Sequence, residues 1–236
     1  APLLLVVPLT LEIMCHLLEV DSLIKSFGSR QLLTDVYLRI RTGDVIGLFG
    51  RNGTGKSVLM QILFGTMKAD RRFIRLDGSH ILSVPFERRR TIAFLPQGGY
   101  LPKHQKVHTL VQCHLSPDRV EAFYRNDELL QSRMRLRVSQ LSGGERRYLE
   151  AKLLLLGDAK FVLLDEPFDY VSPFLVDKLM ELIAASSRDK GIVVTDHRYE
   201  HVLKVATRIM LLRDGALMEL SDRQGLVEQG YLRELM

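Results

Sequence analysis

The run Gly50-Arg51-Asn52-Gly53-Thr54-Gly55-Lys56-Ser57 constrains this chain more than any other feature. It follows a short apolar segment, residues 44–49, and leads into residues 58–64, an apolar stretch of helical character. A buried strand, a glycine-rich turn and a helix in that order make a cradle for an anion. The glycines let backbone N–H groups turn inward around phosphate oxygens, and the helix aims its N-terminus at the negative charge. In such a loop the lysine, Lys56, reaches the β- and γ-phosphates of a nucleotide, and the Ser57 hydroxyl is a magnesium ligand. The run matches G-x-x-x-x-G-K-[ST] at every fixed position. Gly50, Asn52, Gly53, Thr54, Gly55, Lys56, Ser57 and Val58 are therefore the predicted phosphate contacts. A surface turn with an exposed lysine is the competing reading, and it leaves the flanking strand and helix unexplained.

A second constellation lies downstream. Residues 161–164 (FVLL) are apolar and end in Asp165-Glu166. A strand buried in a parallel sheet delivers such acids to its carboxyl edge, beside a phosphate loop. Asp165 suits a role at Mg2+, and Glu166 suits polarising an attacking water, whose proton a carboxylate can accept. Taken alone the two acids could equally cap a surface strand; the phosphate loop upstream favours the chemical reading.

The rest of the chain reads as alternating strands and helices. Residues 17–24 and 32–40 alternate as half-buried strands about a turn at 28–30, and 73–77 and 91–95 read as further strands. Helices are expected over 107–115, 117–135, 143–156 and 173–187, buried strands over 161–165 and 192–195, and a hairpin over 208–220 about Asp214-Gly215, with a short polar helix to the end. The expected fold is α/β: a P-loop NTPase core with a mostly parallel sheet, an N-terminal antiparallel β subdomain and a small helical subdomain. Residues 17–236 are expected to form one domain, with the helical part inserted at about 98–140. Residues 1–16 are read as an extension, either an extra edge strand or sequence ahead of a start at Met14. The apolar opening APLLLVVPLTL is too short to span a bilayer, which takes about 20 residues.

Composition excludes several classes. Apolar residues make up 46% and charged residues 26%, as in ordinary globular proteins. Cys15 and Cys113 have no metal-type spacing and fit a reducing compartment such as the cytoplasm. The net charge is +5, with basic groups such as Arg88-Arg89-Arg90 and Arg133/Arg135/Arg137 lying near acidic ones, as on a mixed solvated surface.

Leu141-Ser142-Gly143-Gly144-Glu145, placed after the phosphate loop and about 20 residues before the acidic strand end, resembles the signature sequence of ATP-binding cassette ATPases. The likeness runs from about Leu17 to Leu220. It implies an ATPase that binds ATP and Mg2+ and sandwiches nucleotide between two chains, with Ser142, Gly143 and Gly144 meeting the γ-phosphate held by the other chain. It further implies that Phe27 stacks on adenine, that Gln97 senses Mg2+ and water and couples the helical insertion to the site, and that His197 contacts the γ-phosphate. The implied catalytic set is Glu166, His197, Gln97 and Lys56, and the implied magnesium set is Ser57, Gln97 and Asp165. Three segments, LSGGERR, LLDEPF and TDH, are most similar to lipopolysaccharide-export and branched-amino-acid type ATPases.

Two departures from the family pattern bear on turnover. Val58 stands where a threonine usually bonds the α-phosphate, a loss on the order of 1 kcal/mol. Ser172 stands where an aspartate usually enters the dimer interface, which predicts slower hydrolysis or weaker communication between sites. The leading expectation is a cytoplasmic subunit, peripheral on the inner face of the cell membrane. It would form a homodimer, or a heterodimer with a related cassette, and power separate integral membrane transporter subunits docked near residues 100–110. The alternatives are a soluble cassette ATPase acting on nucleic acid or ribosomes, and a nucleotide-regulated binding module with negligible turnover. The short insertion, without sustained heptads, speaks against nucleic acid as the partner.

Overall fold

The structure, a computed structural model, describes residues 15–80 and 91–232. The expectations for residues 1–14, the Arg88–Arg90 group and the last residues of the chain lie outside the described residues.

Two sheets clasp one helix. The first is four-stranded and antiparallel, in the order β2-β1-β4-β5, built from β1 (Leu17–Phe27), β2 (Arg30–Arg41), β4 (Arg71–Leu76) and β5 (Ser79–His80). The second runs β10-β9-β3-β8-β7-β6, from β3 (Val45–Phe49), β6 (Ile92–Leu95), β7 (Phe161–Asp165), β8 (Gly191–Thr195), β9 (Arg208–Arg213) and β10 (Ala216–Leu220). All its pairings are parallel except β9–β10, the expected hairpin, which turns through Asp214 and Gly215 at φ 50° and 80°. Positive φ at both turn residues is what an Asp-Gly pair supplies at least cost.

The apolar strands are apolar because both their faces are covered. Along β7, Phe161 and Leu163 face the core shared with the antiparallel sheet, while Val162 and Leu164 face the helices on the other side. α1 (Lys56–Phe64) lies between the two sheets and buries Leu59, Met60, Ile62 and Leu63. α5 (Gly143–Leu156) and α6 (Pro173–Ser186) cover the opposite face.

The structure corrects the expected strand pattern in detail. Simple alternation does not run through β1 and β2: the buried residues are Leu18, Val20 and Leu23 on one strand and Leu33, Val36, Leu38 and Ile40 on the other. Each parity change coincides with a left-handed residue, Ser22 (φ 50°) and Asp35 (φ 54°), and the register shifts between Val20 and Leu23. An extra residue at a bulge restores the inward side after each break.

The stretch expected as one helix over 117–135 is two, α3 (Pro117–Tyr124) and α4 (Glu128–Arg133), following α2 (Val107–His114). Asn126 turns left-handed at φ 58°, and the Asp127 side chain then accepts the N–H of Leu130 at 3.3 Å as an N-cap. α7 (Tyr199–Val205) and β5 were not anticipated, being seven and two residues long. α8 (Arg223–Glu228) is the terminal helix. Among the described residues no helix is long and apolar enough to cross a membrane.

Candidate nucleotide site

Four parallel strands, β3, β8, β7 and β6, end along one edge of the large sheet. From that edge emerge the phosphate loop, Asp196-His197, Asp165-Glu166 and Pro96-Gln97 respectively. Ligands of open α/β sheets bind outside the carboxyl ends of the strands, so topology alone gathers the candidate residues.

In the loop, Gly50 (φ 154°) has no room for a side chain: a Cβ there would lie 2.6 Å from the Leu212 carbonyl oxygen. Gly53 (φ 77°) has nothing within 4 Å of that position, which leaves its backbone open to a ligand. The Lys56 ammonium folds back inside the loop, donating to the carbonyls of Gly50 at 2.6 Å and Arg51 at 3.3 Å. Its partial burial pushes its pKa down, while Asp165 and Glu166 pull it back up.

A cleft of about 310 Å3 opens beside this loop. It brings together Asn52, Gly53, Gly55, Lys56, Ser57 and Val58 with Gln97, Asp165 and Glu166. Asp165 is 3% exposed, and burial pushes its carboxyl pKa up against the pull of the Ser57 hydroxyl. Gln97 Nε2 donates to Glu166 Oε2 at 2.6 Å, so the amide oxygen of Gln97 remains as an acceptor. A serine hydroxyl, a buried carboxylate and an amide oxygen form a set of hard oxygen donors suited to Mg2+.

Glu166 itself sits at φ 56°, a left-handed conformation that costs a non-glycine residue about 1–3 kcal/mol. Its backbone is fixed from two sides. Glu166 N–H donates to Thr195 O at 2.7 Å, and its carbonyl accepts from Arg147 Nε at 3.2 Å.

Gly50 does not line this cleft, and Phe27, His197 and Thr54 stand apart from it. Leu32, not Phe27, lines the wall toward the antiparallel sheet. Phe27 is half-exposed, with the Lys25 ammonium 4.9 Å from its ring centre. His197 is exposed beyond β8, its Nδ1 3.6 Å from Asp196 Oδ1. The Thr54 hydroxyl donates to Arg51 O at 2.9 Å and lines a separate pocket behind the loop.

The 142–144 segment faces a different cleft, of about 330 Å3, which Tyr170, Ser172 and Phe174 also line. Ser142 caps α5 through a reciprocal pair: its hydroxyl accepts Glu145 N–H at 3.1 Å, and its own N–H donates to Glu145 Oε2 at 2.8 Å. The first-turn amides of Gly143 and Gly144 have no acceptor within the helix. Gly144 is needed for packing, since a Cβ would meet Tyr170 O at 2.5 Å.

Sequence reasoning missed the residues that hold these parts in place. Arg147, 6% exposed, donates to the carbonyls of Pro96 at 2.7 Å, Asp165 and Glu166, and so ties the ends of β6 and β7 to α5. Asp196, also buried, accepts the N–H of Phe168 and of Arg198, both at 2.9 Å. The available signal was three charges, Arg147, Glu150 and Lys152, on a helix that must be buried on most sides.

A phosphate loop and an acidic strand end gathered on one parallel sheet edge are the layout of a P-loop nucleotide hydrolase. Residues 33–169 match the family model described as ABC transporter. The chain is 32% identical to the lipopolysaccharide export system ATP-binding protein LptB of Acidithiobacillus ferridurans, over 94% of this chain and 97% of that one. It is also 32% identical to a probable ABC transporter ATP-binding protein of Azorhizobium caulinodans, over 90% of this chain and 80% of that one. The fold matches a solved ATP-binding subunit of an ABC transporter with a TM-score of 0.80 at 22% identity, covering 93% of this chain and 95% of that one. It also matches a bacterial Atm1-family ABC exporter with ATP bound, with a TM-score of 0.78 at 18% identity, over 91% of this chain and 40% of that one. The chain belongs to the ABC transporter family and is an ATP-binding, ATP-hydrolysing member of it.

Proposed function

We propose that two copies of this chain close head-to-tail on two MgATP molecules and that the cycle of closure and release drives a transporter in the membrane. One observation carries this reading: the cleft that gathers Lys56, Ser57, Gln97, Asp165 and Glu166 does not contain residues 142–144. Each nucleotide site is then completed by the other copy, whose Ser142 hydroxyl and Gly143 amide supply donors to the γ-phosphate.

Within a closed site Lys56 leaves the loop carbonyls for the β- and γ-phosphates, and Phe27 stacks on adenine. Ser57, Asp165 and Gln97 would hold Mg2+, which would supply neutralisation of phosphate charge. Glu166, freed from Gln97, orients the attacking water and accepts its proton. His197 contacts the γ-phosphate. Loss of phosphate removes the shared anion and reopens the dimer.

The domain reading is a single cassette over residues 17–236 with a helical insertion at about 98–140, held on the cytoplasmic face by integral membrane partners. Tyr100 and Leu101 are unsuitable docking residues, because Leu101 is 7% exposed and both backbone amides are bound to Glu150. The exposed positions between 100 and 110 are Pro102, Lys103, His104, Lys106 and Thr109. Affinity purification of the tagged chain from gently solubilised membranes is expected to recover an integral membrane protein, and to lose it when Lys103, Lys106 and Thr109 are replaced together. Recovery only with ribosomes or nucleic acid would contradict the transporter reading. The relatives' role makes lipopolysaccharide the first cargo to test.

A further inference from the structure

α5 buries a carboxylate that the chemistry above leaves without a task. Glu150 is 1% exposed and lies two turns beyond the cap at Ser142. Its Oε1 accepts the N–H of Tyr100 at 3.2 Å and of Leu101 at 3.4 Å, and its backbone carbonyl accepts the Tyr100 hydroxyl at 3.4 Å. Its Oε2 stands 3.7 Å from Nη1 of Arg147, the guanidinium that also holds Pro96, Asp165 and Glu166 by their carbonyls. Gly99 closes over the carboxylate from the loop side: at φ 74° a Cβ would lie 2.7 Å from Glu150 Oε1. Residues 96–101 are thus wrapped around an Arg147–Glu150 pair. Gln97, in the middle of the wrapped segment, donates to Glu166 at 2.6 Å.

A carboxylate is costly to bury, and an apolar side chain would pack the same space at no such cost. Here the charge receives two backbone donors from one loop and faces a cation committed to two strand ends. We propose that Glu150 is a positioning residue for ATP hydrolysis: it clamps residues 99–101 onto α5, so that the place of Gln97 relative to Glu166 follows the movements of that helix. The proposal rests on the reading of Glu166 as the water-orienting carboxylate. It also gives the exposed 102–106 segment a direct mechanical path to the site, since Leu101 N–H is held by the same carboxylate. A push on that segment, or on the cap at Ser142, shifts Gln97 against Glu166.

A double-mutant cycle on the full chain separates positioning from mere support. Glu150→Gln keeps the shape and one acceptor but removes the charge. It is expected to lower turnover about tenfold and leave the KM for ATP within about twofold. Gln97→Ala is expected to lower turnover by itself. If Glu150 acts through Gln97, adding Glu150→Gln to Gln97→Ala costs less than about twofold more. Gly99→Ala crowds the same contact from the loop and leaves Glu150 in place, so it reads the same coupling should Glu150→Gln not fold. Unchanged turnover in Glu150→Gln, or losses that multiply fully with Gln97→Ala, would overturn the proposal. Glu166→Gln run in parallel keeps the two readings apart. Retained turnover in that variant refutes the role of Glu166, whereas abolished turnover with a fully multiplicative cycle refutes only the role of Glu150.

Discussion

Gly144 and Ser172 face the same cleft and make opposite demands on a side chain. Gly144 has no space: a Cβ would press on Tyr170 O at 2.5 Å and Val171 Cα at 3.1 Å, both backbone. Gly144→Ala must therefore push α5 away from residues 166–172. Overpacking of this kind costs about 1–3 kcal/mol, read by chemical denaturation, and the strained Glu166 backbone nearby makes a larger loss of turnover the expected companion. Ser172 has space to spare. It begins α6 without a side-chain cap bond, ahead of Pro173 at the first helical position. Ser172→Asp should stabilise the helix slightly, since aspartate is a good cap next to the positive end of the dipole. It should also raise turnover, and unchanged turnover in that variant would refute the idea that Ser172 slows this chain.

The residues legible in the sequence were those whose chemistry has fixed spacing. Lys56, Ser57, Asp165 and Glu166 could be named because loop and strand end dictate which residue types serve there, whereas Gln97 was named only through the resemblance to cassette ATPases. Arg147, Glu150 and Asp196 could not, because their work is to bind main-chain groups of other segments, as far as 51 residues away. A carbonyl carries no sequence identity, so nothing marks its partner. Leu32 was missed for a similar reason: lining a wall needs only an apolar side chain at the right place.

At the scale of elements, a second buried acid helps to pin the helical segment to the core. Asp127, 2% exposed at the start of α4, accepts the Tyr148 hydroxyl at 2.8 Å and the Lys152 ammonium at 2.5 Å, both from α5. Lys178 of α6 stands 3.8 Å from its other oxygen. Asp127→Asn leaves the buried Lys152 charge without its counter-ion, and the expected loss is about 3–5 kcal/mol by chemical denaturation. A loss below about 1 kcal/mol would show that the pair is not what joins the elements.

The sign of its pH dependence follows from the native pKa of Asp127. Burial alone would raise it, but the Lys152 and Tyr148 contacts more than offset that and hold it below its ordinary 3.8. A depressed native value gives stabilisation that is full above the unfolded pKa and lost as pH falls through the native one. The gap between native and Asp127→Asn chains is therefore expected to be equal at pH 7 and pH 5, and to narrow only below the ordinary carboxylate range. The elements themselves were largely readable, because buried parallel strands are continuous apolar runs. What escaped were the breaks in pattern, the bulges at Ser22 and Asp35 and the split at Asn126, where one backbone residue turns left-handed without leaving a periodic trace.

The whole molecule presents two separate clefts, one lined by Lys56, Ser57, Gln97, Asp165 and Glu166, the other by Ser142 and Gly144 at a helix start. Tyr170 and Phe174, 79% and 65% exposed, flank the second cleft and are large apolar groups left in water by a single chain. Closure on a second copy would cover them, so Tyr170→Ser with Phe174→Ser should weaken ATP-driven dimerisation while leaving nucleotide binding by the monomer unchanged. That split is measurable by sedimentation alongside fluorescent-nucleotide titration. The most direct test of the central claim is the molar mass of the Glu166→Gln chain in solution with MgATP and with MgADP. A stable dimer in MgATP that returns to monomer in MgADP is the expected result; a monomer at saturating MgATP and high protein concentration would contradict the shared-site account.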